Sequence, residues 1–287
     1  MIDPARLTAE LLEVLPRKQI SRAMGKAADL RAPRPVLGSA IDAFAKAYGI
    51  DLDEAIVPRE GFATFDDFFT RRLKPGARPV DADPLAVVSP ADGKVEDLGA
   101  IDPSGALLVK GKRYTVAELV GDVDDARRYA GGHYFIVYLS PRDYHRVHSP
   151  VGGPVASMRH VGGTLFPVNS IGIRHVPQLF AVNERVAVEQ RSEHHGPVTT
   201  ILVGAIGVGR ISVSFDDVLT NVAGSQPGVR RYGEDGPPLD RAEELGTFHL
   251  GSTAIVFVGP SRRLRFVVEP GARVRVGEAV LRVVEGG

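Results

Sequence analysis

Two periodicities divide the chain. From Ala5 to Leu15 the apolar residues Leu7, Leu11, Leu12 and Leu15 recur at helical spacing, and Leu37 to Tyr48 repeats the pattern through Leu37, Ile41, Phe44, Ala45 and Tyr48. Both stretches are expected to be amphipathic helices. Thr64-Phe-Asp-Asp67 has the form of a variant capping box, opening a third helix that carries Phe65, Phe68 and Phe69 before Pro75-Gly76 ends it. From Leu85 onward the pattern changes to short Val/Ile/Phe-rich runs divided by Gly, Pro and Asp-Gly, among them Tyr134–Leu139, Ile201–Val208, Arg210–Phe215 and Ala254–Val258. An α+β fold follows: N-terminal amphipathic helices over 1–75, then a mainly antiparallel β domain over 76–287. Gln226 to Gly246, rich in Gly, Pro and charge, reads as an exposed loop. The last residues alternate around Pro270-Gly271 and Val276-Gly277 as a hairpin does.

Composition narrows the chemistry. Lys+Arg and Asp+Glu balance at 35 each, so no global field recruits nucleic acid, and attraction to an anionic surface must come from a local cluster. One such cluster lies between Arg17 and Arg34, where Arg17, Lys18, Arg22, Lys26, Arg31 and Arg34 face only Asp29, a local net of +5. With Ile20 and Met24 beside it, this segment is expected to attach the protein peripherally to an anionic membrane surface. The first residues do not read as a secretory signal, and no stretch approaches the roughly 20 apolar residues that span a bilayer. The absence of cysteine removes disulfides, thiolate metal sites and a cysteine nucleophile.

Histidine, hydroxyl and carboxylate chemistry remain, concentrated in three segments. In Ser89-Pro-Ala-Asp-Gly-Lys94 the Asp92-Gly93 pair sits between Val87-Val88 and Val95, a two-residue hairpin signal. Ser140-Pro-Arg-Asp-Tyr-His-Arg-Val-His-Ser-Pro150 sets His145 and His148 three apart; in a strand they face opposite ways, one toward a buried partner and one toward a pocket. Two histidines and a carboxylate also suit zinc, but no further well-spaced ligand set appears, and no metal is expected. Leu250-Gly-Ser-Thr-Ala-Ile-Val-Phe-Val258 places a hydroxyl pair at the mouth of an apolar strand. Gly251 leaves its carbonyl open to attack and tolerates angles that strain the peptide to Ser252.

Taken together, Phe68-Phe-Thr-Arg-Arg-Leu73, Arg78-Pro-Val80, Ser89-Pro-Ala-Asp-Gly93, Tyr138-Leu-Ser-Pro-Arg-Asp-Tyr-His-Arg-Val-His148, Leu165-Phe-Pro-Val-Asn169, Asn183-Glu-Arg-Val186, Val203-Gly-Ala205 and Glu244-Leu-Gly through Leu250-Gly-Ser-Thr253 resemble the blocks of the prokaryotic-type phosphatidylserine decarboxylase family, in family order. The resemblance implies that Asp92, His148 and Ser252 form the charge-relay set for self-cleavage at Gly251-Ser252. It implies that Ser252 becomes a covalent pyruvoyl cofactor, and that His145 assists decarboxylation of phosphatidylserine to phosphatidylethanolamine. The roles are chemically apt. His148 can take the Ser252 hydroxyl proton while Asp92 supports the imidazolium. A Schiff base from substrate amine to the pyruvoyl ketone then supplies the electron sink that carbon dioxide loss requires. Chains 1–251 and 252–287 would form a heterodimer, with further dimerisation left open, on the cytoplasmic face of the cell membrane.

Two other classes bear on the same residues. A serine hydrolase could use Asp92, His148 and Ser252, although Ser252 leads into a strand where a nucleophile elbow needs a helix. A non-enzymatic lipoyl-like binding module is suggested by Val268-Glu-Pro-Gly-Ala-Arg-Val-Arg-Val-Gly277, but no lysine follows Lys112 to carry a group at that hairpin. Composition leaves pyridoxal phosphate on an early lysine such as Lys94 open.

Overall fold

The computed structural model describes residues 15–207, 210–233, 235–249, 252–261 and 263–284. Most of the first expected helix, Ala5 to Leu15, lies outside the described residues. Three N-terminal helices are described: α1 (Arg17–Ala28), α2 (Arg34–Tyr48) and α3 (Phe65–Phe69). Helix α2 buries Leu37, Ile41 and Ala45 of the predicted stripe, while Phe44 is half-buried and Tyr48 is exposed, both beside an apolar cavity, and it ends at Gly49 in the left-handed conformation. Helix α3 starts as expected, with the Asp67 amide donating to the Thr64 hydroxyl at 3.0 Å. Phe44, Phe65, Phe68 and Phe69 meet largely edge to face, so the short helix is held by aromatic packing more than by its own length.

The remainder is built on a nine-stranded antiparallel sheet. At its centre Ser252–Val258 lies between Gly196–Val203 and His133–Leu139, with Ser252 opposite Leu139 and Thr253 opposite Val203. All seven residues of the central strand are buried. Alternation sends Ala254, Val256 and Val258 into one apolar layer with Val137 and Leu202, and Ile255 and Phe257 into the other with Ile136 and Ile201. Short helices carrying Leu119, Leu179 and Phe180 cover the second layer. A sheet buried on both faces needs unbroken apolar runs, which is why this strand reads as one.

A three-stranded sheet joins Arg210–Val213, Glu244–His249 and Arg146–His148. The chain passes from this sheet into the large one between His249 and Ser252. Gly251, half of the expected cleavage junction, lies with Leu250 outside the described residues.

Three local expectations are corrected. Asp92-Gly93 is not a hairpin tip, because Val87–Val88 pairs with Ala279–Val283 while Gly93–Ala100 pairs with His133–Leu139. Gly93 answers a different demand: a Cβ there would stand 2.4 Å from the Tyr138 carbonyl oxygen. Gln226–Gly246 is not simply loop, since Gly228–Arg231 and Pro238–Leu239 both pair with Gly153–Val161. Near the C-terminus Leu264–Phe266 does pair with Ala279–Val283, but Arg273–Val274 between them is diverted to pair with Lys94 and Gly93.

Candidate active site

The family-like blocks around Leu165, Asn183 and Val203 meet through one side chain. Asn183 donates to the Phe166 and Gly204 carbonyls, each at 2.9 Å, and accepts from the Phe166 amide at 3.0 Å. This joint holds Val168 and Ala205 in the wall of a cavity of about 570 Å³, whose other walls include Met24 of α1, Phe44 of α2 and Phe65 and Phe69 of α3. Ser252 also borders it. The Ser252 hydroxyl is buried and has no hydrogen-bond partner among the described residues, and the Thr253 hydroxyl is in the same state. An unpartnered buried hydroxyl costs stability and is retained where something else uses it. Just before the junction, His249 Nδ1 lies 2.8 Å from Asp66 Oδ2, tying the end of the small sheet to α3.

The two histidines have different surroundings, His148 ending the strand Arg146–His148 and His145 just preceding it. His148 is half-buried, with Nδ1 2.8 Å from the Ala242 carbonyl oxygen and Nε2 3.3 Å from the Tyr144 hydroxyl. A carbonyl only accepts, so Nδ1 carries the proton and Nε2 keeps the lone pair of a base. Ala242 presents that carbonyl from a left-handed backbone, φ +64°, which costs a non-glycine residue roughly 1–2 kcal/mol. Burial lowers the proton affinity of His148, while the Ala242 carbonyl, Glu244 and Asp92 act in the opposite direction.

His145 is fully buried, stacked on Phe69 with centroids 4.1 Å apart; its ring nitrogens make no hydrogen bond of good geometry among the described residues, although the Pro141 and Ser140 backbone groups lie near enough to favour its protonated form weakly. Burial, and then the nearby Arg71 charge, push its pKa down to about 3. At neutral pH it is an uncharged imidazole one ring layer from the cavity.

Asp92 is nearly buried and heavily engaged. Its carboxylate accepts from Arg78 Nε at 2.9 Å to both oxygens and from Arg78 Nη2 at 2.5 Å, and it also accepts from the Val276 amide at 2.9 Å. The structure thus brings Asp92 and His148 to neighbouring positions, with the His148 amide donating to the Pro90 carbonyl at 2.7 Å, but directs their side-chain bonds to other groups. Arg78, Tyr144 and Ala242 are contributions the sequence reading missed. Arg78 and Tyr144 lie inside the recognisable blocks, but nothing in their spacing reveals what they touch; Ala242 carries no signal at all.

Several side chains of the N-terminal basic cluster are held by contacts within the fold, two of them by neutral groups that leave the charge in place. Arg17 Nε donates to the Thr164 hydroxyl at 3.0 Å with its guanidinium 3.8 Å from the Phe166 ring centroid. Lys18 faces Glu184 at 4.0 Å, Arg22 donates to Asn221 Oδ1 at 3.1 Å, and Arg34 pairs with Glu60. Lys26 and Arg31 remain. Among the described residues no helix is long and apolar enough to cross a membrane, and no group of three or more acidic or histidine side chains is placed to hold a metal ion.

An apolar cavity that ends on an unpartnered serine, with His145 one ring layer away behind Phe69, is the setting of an enzyme that takes an apolar-tailed substrate; no hydrogen bond joins His148 to Ser252 among the described residues. The chain belongs to the phosphatidylserine decarboxylase family, whose model matches residues 65–282. Relatives named phosphatidylserine decarboxylase proenzyme share 44% identity in Myxococcus xanthus, over 88% of this chain and 89% of theirs, and 44% in Bordetella bronchiseptica, over 92% and 90%. A third, from Anaeromyxobacter sp. strain K, shares 42% over 95% of this chain and 97% of its own.

Proposed function

We propose that this chain is a precursor that cuts itself between Gly251 and Ser252 and then decarboxylates phosphatidylserine to phosphatidylethanolamine. The observation that carries the reading is the unpartnered, buried Ser252 hydroxyl bordering an apolar cavity, at the point where the chain changes sheets. His148 Nε2, held as the lone-pair nitrogen by the Ala242 carbonyl, serves as base for that hydroxyl. Asp92 supports the resulting imidazolium through space from its Arg78 and Val276 anchors. Attack of Ser252 Oγ on the Gly251 carbonyl moves the acyl group from nitrogen to oxygen. Elimination then frees a Gly251 carboxylate, and water displaces ammonia at residue 252 to leave a pyruvoyl group. The group is made from a residue already at the cavity, so the site fits it; its carbonyl supplies the sink for the electron pair left by carbon dioxide.

His145 is the proposed proton donor to the substrate carbon. Uncharged at rest, it gains proton affinity when an anionic headgroup enters beside it, because a nearby opposite charge favours the imidazolium. The helices of 1–75 form the lipid-facing unit and 76–287 the catalytic scaffold, peripheral to the cytoplasmic face of the membrane. Within the 17–34 cluster Arg22, bonded to a neutral asparagine, keeps its charge alongside Lys26 and Arg31, so electrostatic attraction from these three amounts to about 3 kcal/mol at roughly 1 kcal/mol per basic residue. Leu30 and Val36, 66% and 62% exposed, can each contribute roughly 1.5–3 kcal/mol on insertion, so the apolar contribution matches or exceeds it. Release of labelled carbon dioxide from phosphatidylserine by the wild-type protein, and none by Ser252→Ala, tests the assignment; equal release by both overturns it.

A further inference from the structure

Arg71 follows α3 and is 5% exposed. Its Nη2 donates a long bond of 3.4 Å to the Arg142 carbonyl, while Nε and Nη1 have no partner among the described residues. Arg78 is the contrast, with Nε and Nη2 on Asp92 and Nη1 on Glu54 at 2.8 Å. A guanidinium cannot shed its charge to escape burial as a lysine or histidine can; Arg185 meets burial by donating to four backbone carbonyls, whereas Arg71 has only the long bond and the Phe68 ring 5.6 Å away, so an acceptor brought to its open donors is strongly favoured.

Its surroundings identify the anion. Arg71 acts electrostatically on His145, His145 stacks on Phe69, and Phe69 borders the cavity that ends at Ser252. Arg71 also borders a separate polar cavity of about 350 Å³, lined by carboxylates and guanidiniums in equal number; Asp92 and Asp143 act on Arg71 from a distance but are themselves bonded to Arg78 and Arg273, so there is room for a small charged group that bonds Arg71 directly. Donors of Arg71 are left open, and the ring nitrogens of His145, on which Arg71 acts, make no hydrogen bond of good geometry among the described residues. Imidazole can donate or accept; guanidinium only donates. A ligand that satisfies all of them is apolar at one end and carries an oxyanion at the other.

We propose that Arg71 is the anion-reading residue of the substrate site, binding a headgroup oxyanion of the phospholipid beyond the Phe69–His145 layer. The proposal rests on the decarboxylase reading above. The shared chemistry is a resonance-delocalised oxyanion, from either the phosphodiester or the serine carboxylate, which a guanidinium grips with two parallel donors.

The test uses Arg71→Gln and Arg71→Lys, assayed on phosphatidylserine in detergent micelles with rates normalised to cleaved protein. Arg71→Gln should raise KM roughly tenfold or more with a much smaller change in kcat, and Arg71→Lys should recover part of the loss. Inhibition by phosphatidylethanolamine, which has the phosphate but no carboxylate, separates the sources. Weakened inhibition in Arg71→Gln assigns the phosphate, and unchanged inhibition alongside the raised KM assigns the carboxylate. A wild-type KM in Arg71→Gln overturns the proposal, as does an equal loss of kcat and melting temperature in both variants with no advantage for lysine. If the wild-type protein itself releases no carbon dioxide, the decarboxylase reading falls instead.

Discussion

His145→Phe should flatten the acid side of the stability curve. The ring is fully buried, makes no hydrogen bond of good geometry among the described residues and stacks on Phe69, so phenylalanine keeps the stacked ring while removing the titrating atoms and their weak contact with the Pro141 and Ser140 backbones. The unfolded chain takes up a proton near pH 6.5, whereas the folded chain holds off until about 3. Because the folded pKa is depressed, the stability at stake is fully present above 6.5 and is lost as pH falls from there toward 3. In that window the loss is about 1.4 kcal/mol per pH unit, or roughly 2.7 kcal/mol by pH 4.5. Urea midpoints at pH 7.5, 5.5 and 4.5, in a Ser252→Ala background that keeps every sample uncut, measure it. The wild-type histidine should give the steeper decline by about that amount. Parallel declines would refute the assignment of His145 as a buried neutral imidazole, and with it the claim that it must gain its proton from an environment the substrate creates.

Other consequences are equally concrete. Gly93→Ala forces a Cβ against the Tyr138 carbonyl and should destabilise the fold by roughly 1–3 kcal/mol and slow maturation, measured by urea midpoint and gel; an unchanged midpoint would show the strands are free to separate there. His148→Ala should leave mostly uncut chain, since loss of a general base costs roughly 10²-fold or more, whereas His145→Ala should cleave yet decarboxylate poorly; equal loss of both steps in both variants would contradict the division of roles. Leu30→Ser with Val36→Ser, which leaves the charge unchanged, should reduce sedimentation with anionic vesicles at least as much as raising salt does, because apolar insertion matches or exceeds the attraction of the basic residues. A larger effect of salt would reverse that order.

The elements that local chemistry dictates were legible in the sequence. The Thr64 cap, the apolar stripe of α2 and the strand through Ala254–Val258 depend on residues within one turn or one strand. Asp92-Gly93 was misread because glycine serves two demands with one letter: a hairpin's backbone angles, or another strand's close approach. The approaching strand here is 133–139, which local pattern does not announce. The contacts of the basic run from Arg17 to Arg34 are hidden from the sequence for a related reason. Charge is countable in a sequence, but Thr164, Glu184 and Asn221, which take up Arg17, Lys18 and Arg22, are distant in the chain. For the site, hydroxyl, imidazole and carboxylate were recognisable as chemistry, while the cavity beside Ser252 and the empty donors of Arg71 exist only once three helices and two sheets have packed together.

Self-cleavage is the central claim, and the intact mass of the purified protein under denaturing conditions tests it most directly. The account predicts two species, residues 1–251 with a free carboxyl end and residues 252–287 with a blocked pyruvoyl start, replaced in Ser252→Ala by a single full-length chain. A single uncut chain that still releases carbon dioxide from phosphatidylserine would contradict it.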